Sequence, residues 1–215
     1  IMLDTSGAGL HKRGYRSQAN DAPIRETLAA ALCSLSKLRH YQTLYDPFCG
    51  SGTILVEGAM LANHIAPGIS RDFAAQKWGL FDDGIWKEER ERANSLVKKD
   101  ADFVAFGSDL ARDCVELTAQ NAKHAGVSSF LRLETKDKKE FGPSSEKCTL
   151  VTNPPYGERM LDLSAAEKIY RIMGGKFDRR RGWSYGIISP DEEFEKYFGR
   201  RADKRRKLYN GMIKC

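Results

Sequence analysis

The octet Asp46-Pro47-Phe48-Cys49-Gly50-Ser51-Gly52-Thr53 constrains this chain more than any other feature, because it sets two glycines between a β-type run and a helical one. Glycines in such a turn let the backbone come close to a ligand, and the N–H groups opening the next helix point toward it. Thr43 to Asp46 reads as a short strand, and a helix is predicted from about Thr53 to His64. Ahead of this β-loop-α unit, residues 25–39 place Leu28, Leu32, Leu35 and Leu38 at steps of three and four, which is one apolar stripe of a helix.

The same alternation resumes further on. A strand is predicted over 103–109, a helix over 111–125 closed by Gly126, and strands over 130–135, 148–153 and 183–189. Ser164 with Glu167 forms a capping-box pattern, and Ser189, Pro190 and Glu192 signal another helix start. Asn210-Gly211 between two short β-type runs predicts a hairpin at the end of the chain. The fold class is α/β: a Rossmann-like, mostly parallel sheet ending in an antiparallel hairpin, the layout of class I methyltransferases. Residues 65–102 break the rhythm with Phe73, Trp78, Phe81, Trp86 and a charged helical run, and read as a surface insertion.

The 215 residues, 41% hydrophobic, suffice for the core of one domain. No run reaches the ~18 to 20 apolar residues of a membrane helix, and the first 20 residues lack the layout of a signal peptide. The five cysteines are scattered and none forms a C-x-x-C pair, so neither a disulfide framework nor a metal site is expected, and a reducing cytoplasm fits. The first residue, Ile1, and the last, Cys215 within a β-type run, suggest one domain, 1–215, cut from a longer protein.

Three ligand classes compete for the glycine loop. A phosphate-binding P-loop needs a lysine after its last glycine, and none lies between Lys37 and Lys77. A dinucleotide fingerprint wants a third glycine where Leu55 stands, and would set a pyrophosphate beside the Asp46 carboxylate. An acid at that strand end suits a ligand carrying an ammonium and a sulfonium, as S-adenosylmethionine does; an ordinary tight turn is the bland alternative. Asp109 ends the next β-type run, where an acid can accept from two ribose hydroxyls, or else cap the following helix. It lies 57 residues beyond Gly52 rather than ~20, which requires 65–102 to be inserted. Asp137 follows the third run and could accept from an adenine amino group, or be a solvated charge among Lys136, Lys138 and Lys139.

Asn153-Pro154-Pro155-Tyr156 ends the fourth strand. The lone pair of an exocyclic amine on adenine or guanine is delocalised into the ring. Hydrogen bonds from that amine to the Asn153 side-chain oxygen and the Pro154 carbonyl would return electron density to nitrogen, while Tyr156 stacks on an unstacked base. Positioning and electrostatics would then carry most of the catalysis.

Taken together, LDTSGAGLHKRGYR (3–16), APIRETLAAAL (22–32), DPFCGSGT (46–53), GSDL (107–110), QNAKHAGV (120–127), NPPYGER (153–159) and LYNGMIKC (208–215) resemble the methyltransferase domain of the bacterial RlmL/YpsC type. That family comprises rRNA guanine-N2 methyltransferases, often labelled N6-adenine-specific DNA methylases. The resemblance implies an S-adenosylmethionine-dependent enzyme acting on the N2 amine of a guanosine in large-subunit ribosomal RNA. It implies that Asp46, Phe48, Gly50, Ser51, Gly52 and Thr53 line the cofactor with Leu110, that Asp109 meets its ribose, that the stretch 22–27, Thr27 included, packs beside its methionine end, and that Asn153, Pro154, Pro155 and Tyr156 hold the base. It also implies an N-terminal THUMP RNA-binding domain in the full-length protein, to which nothing in this chain corresponds.

Thirty-five lysines and arginines against 29 acids leave a net charge of +6. They cluster at Lys12, Arg13 and Arg16, at Arg179 and Arg180 with Arg181, and around Arg205 from Arg200 to Lys207, patterns that suit an RNA backbone or are merely solvated faces. Two other readings stay open: adenine-N6 methylation of DNA, and an RNA-binding α/β module without catalysis.

Overall fold

The computed structural model describes residues 1–16, 24–99, 102–137, 147–156, 163–177 and 182–215. Five parallel strands form the sheet, in the order β3 (Leu131–Thr135), β2 (Val104–Asp109), β1 (Thr43–Asp46), β4 (Cys148–Thr152) and β5 (Trp183–Ile187). The helices are α1 (Glu26–Leu35), α2 (Thr53–Ala62), α3 (Asp83–Ser95), α4 (Arg112–His124), α5 (Leu163–Lys176) and α6 (Phe194–Phe198).

Strand residues alternate between two cores, as a sheet covered on both faces demands. Leu44, Ala105 and Val151 face a cluster with Leu28 and Leu32 of α1, Leu55 and Val56 of α2 and Ala122 of α4. Tyr45 and Leu150 face the opposite cluster, with Tyr170, Met173 and Phe177 of α5 or just beyond it. Gly174 of α5 marks where α6 comes closest, since an added Cβ there would lie against the Phe198 carbonyl.

Three sequence expectations shift in detail. Helix α1 stops at Leu35, because Lys37 adopts a left-handed φ of 59°; Leu35 is therefore 50% exposed while Leu38 still reaches the core. In the hairpin of β6 (Tyr209–Asn210) and β7 (Ile213–Lys214), Asn210 pairs with Ile213, so the two-residue turn is Gly211-Met212 rather than Asn210-Gly211. That hairpin forms a two-stranded sheet of its own. The start signal at Ser189 yields only the five-residue α6.

Residues 65–102 carry a 3-10 turn, Ala74–Lys77, and α3 between α2 and β2. They grip the N-terminal segment: the Arg71 guanidinium donates to the carbonyls of Ser6, Ala8 and Gly9, and the N–H groups of Ala74 and Ala75 donate to Ser6 and Thr5. No helix among the described residues is long and apolar enough to cross a membrane.

Gly174 and Gly175 provide an internal comparison. Gly174→Ala should cost about 2 kcal/mol or more, because the obstacle is backbone, whereas Gly175→Ala, with open space around it, should be neutral or stabilise by up to about 1 kcal/mol. Urea unfolding of the two variants checks this; equal stability would contradict the close helix contact.

Candidate functional site

The chain runs outward from β1 through β2 to β3 and then returns to place β4 on the other side of β1. Such a reversal leaves a crevice beyond the carboxyl ends of the two central strands, the usual ligand position in an open α/β sheet. The octet, Asp109 and Asn153 all meet this end of the sheet.

Asp46 closes β1 and is only 2% exposed. Its Oδ1 accepts from the Thr152 hydroxyl at 2.6 Å and from the Phe48 N–H at 3.2 Å. Burial pushes the Asp46 carboxyl up to about 7, with Asp109 adding to the rise and the two hydrogen bonds opposing it. A group poised in this way gains from a neighbouring cation, which would restore its charge.

The glycine loop is held from two sides. Gly50 and Gly52 have φ of 52° and 77°, and a Cβ on Gly52 would strike the Thr118 side chain as well. The Gly50 N–H donates to Asp109 Oδ2 at 3.0 Å and the Cys49 N–H to the Ser108 carbonyl at 3.0 Å, tying the loop to the end of β2. From α4, Thr118 Oγ1 donates to the Gly50 carbonyl and Asn121 Nδ2 to the Ser51 carbonyl, both at 2.8 Å. Asp109 Oδ1 also accepts from the Ala111 N–H at 3.0 Å, so the expected ribose acceptor serves the turn into α4 as well. A carboxylate has enough lone pairs to do both.

Leu110 beside it is 68% exposed, an apolar surface next to a ribose-type acceptor, and Asp137 is half-buried just past β3. Phe48 is half-buried against the second core, and Thr27 is exposed on α1. Asn153 is half-buried beyond β4, one residue from the Asp46 contact, and its amide has no hydrogen-bond partner among the described residues. Pro154 is buried and Pro155 half-buried. Tyr156, expected as a stacking platform, is 7% exposed, and its hydroxyl has no partner among the described residues, so its ring is enclosed rather than displayed.

The basic residues need correction. Arg13 pairs with the buried Glu57 at 3.4 Å, and Arg16 with the buried Glu26 at 3.5 Å, so these guanidiniums are committed inside the fold instead of facing RNA. The Tyr15 hydroxyl joins Glu57 at 3.1 Å. Burial raises the Glu57 carboxyl, and Arg13 and Tyr15 counter the rise. Lys12 stays exposed; Arg205 is exposed but bound to Glu195; Arg179 and Arg180 lie outside the described residues.

Sequence reasoning missed Thr118, Asn121, Thr152 and Glu57 as parts of the site's frame. Thr118 and Asn121 carry a legible signal, two uncharged polar residues at i and i+3 on a face that is otherwise apolar; both are fully buried. Among the described residues no group of three acids, cysteines or histidines could hold a metal ion.

Strand order, the glycine turn after β1 and the acid ending β2 give a Rossmann-like fold with a nucleoside-type site, and the family match makes it a class I methyltransferase domain. Residues 13–215 match the model of the UPF0020 family, described as "RMKL-like, methyltransferase domain", and the chain belongs to that family. It is 41% identical over 214 residues to YpsC of Bacillus subtilis, covering 100% of this chain and 56% of YpsC. It is 38% identical over 221 residues to the ribosomal RNA large subunit methyltransferase K/L of Shewanella baltica OS195, covering 100% of this chain and 31% of that protein. The solved structure of SMU.472 complexed with SAH superposes with a TM-score of 0.91 at 40% identity, over 99% of this chain and 56% of that one. The chain thus spans about half the length of YpsC and about a third of the K/L protein.

Asp46 gives a sign-definite prediction. Its folded value lies above the unfolded one, so the folded chain holds the proton more tightly and this group's contribution to stability is lost as pH rises through about 7. Asp46→Asn keeps the acceptor for Thr152 and Phe48 and removes the charge. It should stabilise the ligand-free chain by about 1 to 3 kcal/mol at pH 8, with the gain shrinking toward pH 4. Urea unfolding across that range checks it; a pH-independent difference would refute the assignment.

Proposed function

We propose that this chain is the catalytic domain of an S-adenosylmethionine-dependent methyltransferase acting on the N2 amine of a guanosine in large-subunit ribosomal RNA. The observation that carries the reading is the buried Asp46 carboxyl, bonded to Thr152 one residue before Asn153, so that a cation-seeking site adjoins an amine-accepting one. The donor set suits the cofactor: Asp46 Oδ2 for its ammonium, Asp109 for its ribose, and exposed Leu110 with Asp137 beside its adenine. When bound, that cofactor supplies an activated methyl on a sulfonium. SMU.472, 40% identical, is complexed with SAH, and the Shewanella relative is a ribosomal RNA methyltransferase by name.

The chain's own residues do the rest. Asn153 Oδ1 and the Pro154 carbonyl accept the hydrogens of the exocyclic amine, which localises its lone pair and aims it. No strong base is required, because the amine sheds its proton only as the new bond forms. The N2 amine lies on the minor-groove edge of a paired guanine, so the substrate must be a looped or extruded nucleotide. For Tyr156 to stack on it, the enclosed ring must turn outward. Lys12 with Arg201, Lys204, Arg206 and Lys207, all exposed, would grip RNA phosphates, with Arg205 shared between Glu195 and RNA. In this reading residues 1–215 are one domain of a longer protein, 65–102 its insertion, and a separate RNA-binding domain of the THUMP type brings the substrate.

Asn153→Ala should reduce kcat by about 100-fold or more and leave affinity for S-adenosylhomocysteine within a few-fold of wild type. Loss of cofactor affinity with turnover retained at saturation would reverse the assigned role. For the substrate, unmodified large-subunit RNA and unmethylated DNA are incubated with S-adenosylmethionine and digested to nucleosides. N2-methylguanosine from RNA is expected; N6-methyladenine without it, in either digest, would replace guanine with adenine.

A further inference from the structure

Residues 208–215 form a hairpin that no step of the proposed reaction uses. Leu208 and Cys215 exchange two backbone hydrogen bonds, each at 2.9 Å, and both side chains pack against the core that α1 and α2 share. Tyr209 pairs with Lys214 and Asn210 with Ile213. The strand period then divides the side chains: Leu208, Asn210, Ile213 and Cys215 are half-buried, while Tyr209 and Lys214 stand in solvent. Gly211 turns the chain with a left-handed φ of 66°, and Met212 beside it is 96% exposed. The result is a braced arm with an apolar side chain at its tip.

That arm is held at the carboxyl end of the sheet. Lys214 Nζ lies 3.8 Å from Glu192, in the segment that leaves the end of β5. The same segment begins against β4, where the Ile188 N–H donates to the Thr152 carbonyl at 3.2 Å. Asn153 follows Thr152, so a short path of contacts joins the residue assigned to the amine to the hairpin. Along the approach Arg201, Lys204 and Arg206 are exposed, and Lys207 stands over the Tyr209 ring, 5.5 Å from its centroid. One exposed methionine is ordinary on a protein surface. This one is set amid cations and beside a displayed aromatic ring, the surroundings that suit an RNA strand.

A guanosine must leave its stack before its N2 amine can reach Asn153, and the gap it leaves favours an apolar group that packs between the neighbouring bases. Tyr156 is enclosed on the pocket side, so that group has to come from elsewhere. We propose that Met212 is a base-opening wedge, entering the RNA stack as the target guanosine swings toward Asn153. The cations from Arg201 to Lys207 seat the phosphates, and Tyr209 stacks on an adjacent base. The wedge rests on the reading of the chain as an RNA guanosine methyltransferase, and it names the surface that opens the RNA for that same site.

The test is single-turnover methylation of unmodified large-subunit RNA, with N2-methylguanosine counted after digestion, alongside RNA binding by filter retention. Calorimetry of S-adenosylhomocysteine accompanies each variant and should match wild type, because position 212 lies in solvent. Met212→Ala should lower the rate at saturating RNA by roughly 10- to 100-fold, the penalty of leaving an opened stack unfilled, with RNA affinity within a few-fold of wild type. Met212→Lys should bind RNA at least as tightly, since it adds a phosphate contact, and should still be slow. Met212→Leu, apolar and of similar size, should recover most of the rate. An undiminished rate in Met212→Ala, a loss that saturating RNA restores, or a fast Met212→Lys would overturn the wedge and leave the substrate reading standing. N6-methyladenine in place of N2-methylguanosine, with the same dependence on position 212, would remove the guanine assignment and support the wedge. No methylated base from wild type would remove the RNA reading and the wedge with it.

Discussion

A carboxyl group buried at the junction of β1 and β4 is the constraint from which the rest of this molecule follows. Asp46 accepts from Thr152 across the sheet's reversal point, and its removal from water raises its proton affinity. Burying an acid without a countercharge is costly, and a scaffold can hold it only if the surrounding packing is rigid. The two cores supply that rigidity, Leu44 locking β1 to one side and Tyr45 to the other. In the proposed reading the acid held there takes a positive partner, and the residue after Thr152 is the one assigned to the target amine.

The second consequence is a loop with no freedom of its own. Gly50 and Gly52 take left-handed conformations that other residues adopt only at a cost, yet glycine alone would leave the turn slack. Thr118 and Asn121 of α4 hold two of its carbonyls, Asp109 holds an N–H, and the N-terminal segment reaches it through Arg16 and Thr53. That segment is clamped in turn by Arg71 from the 65–102 region. The apparent interruption of the sheet's rhythm thereby supports the site's frame from a distance.

Much of this was legible in the sequence because it rests on local rules. The octet, the acid ending β2 and the tetrapeptide after β4 each announce themselves by residue type at a strand end, and the alternating periodicity orders the elements. What stayed hidden depends on partners far apart along the chain. Thr152 looks like any strand threonine until β4 lies beside β1. Arg13 and Arg16 read as surface cations because their acids, Glu57 and Glu26, lie on helices whose faces are assigned by packing rather than by spacing. Leu35 obeys the helical period but falls where Lys37 turns the chain left-handed, so it is exposed. Burial of Tyr156 likewise depends on tertiary context, which no tetrapeptide encodes.

The central claim is that a cationic ligand completes the buried acid at the head of β1. It is tested most directly by calorimetry of S-adenosylhomocysteine binding in buffers of different ionisation enthalpy, from pH 5.5 to 8. Asp46 holds its proton below about 7 in the free chain, and the ammonium favours its ionised form. Binding should therefore release close to one proton at the acid end of the range and almost none at pH 8, and Asp46→Asn should abolish the release. Binding without proton release at every pH would contradict the account.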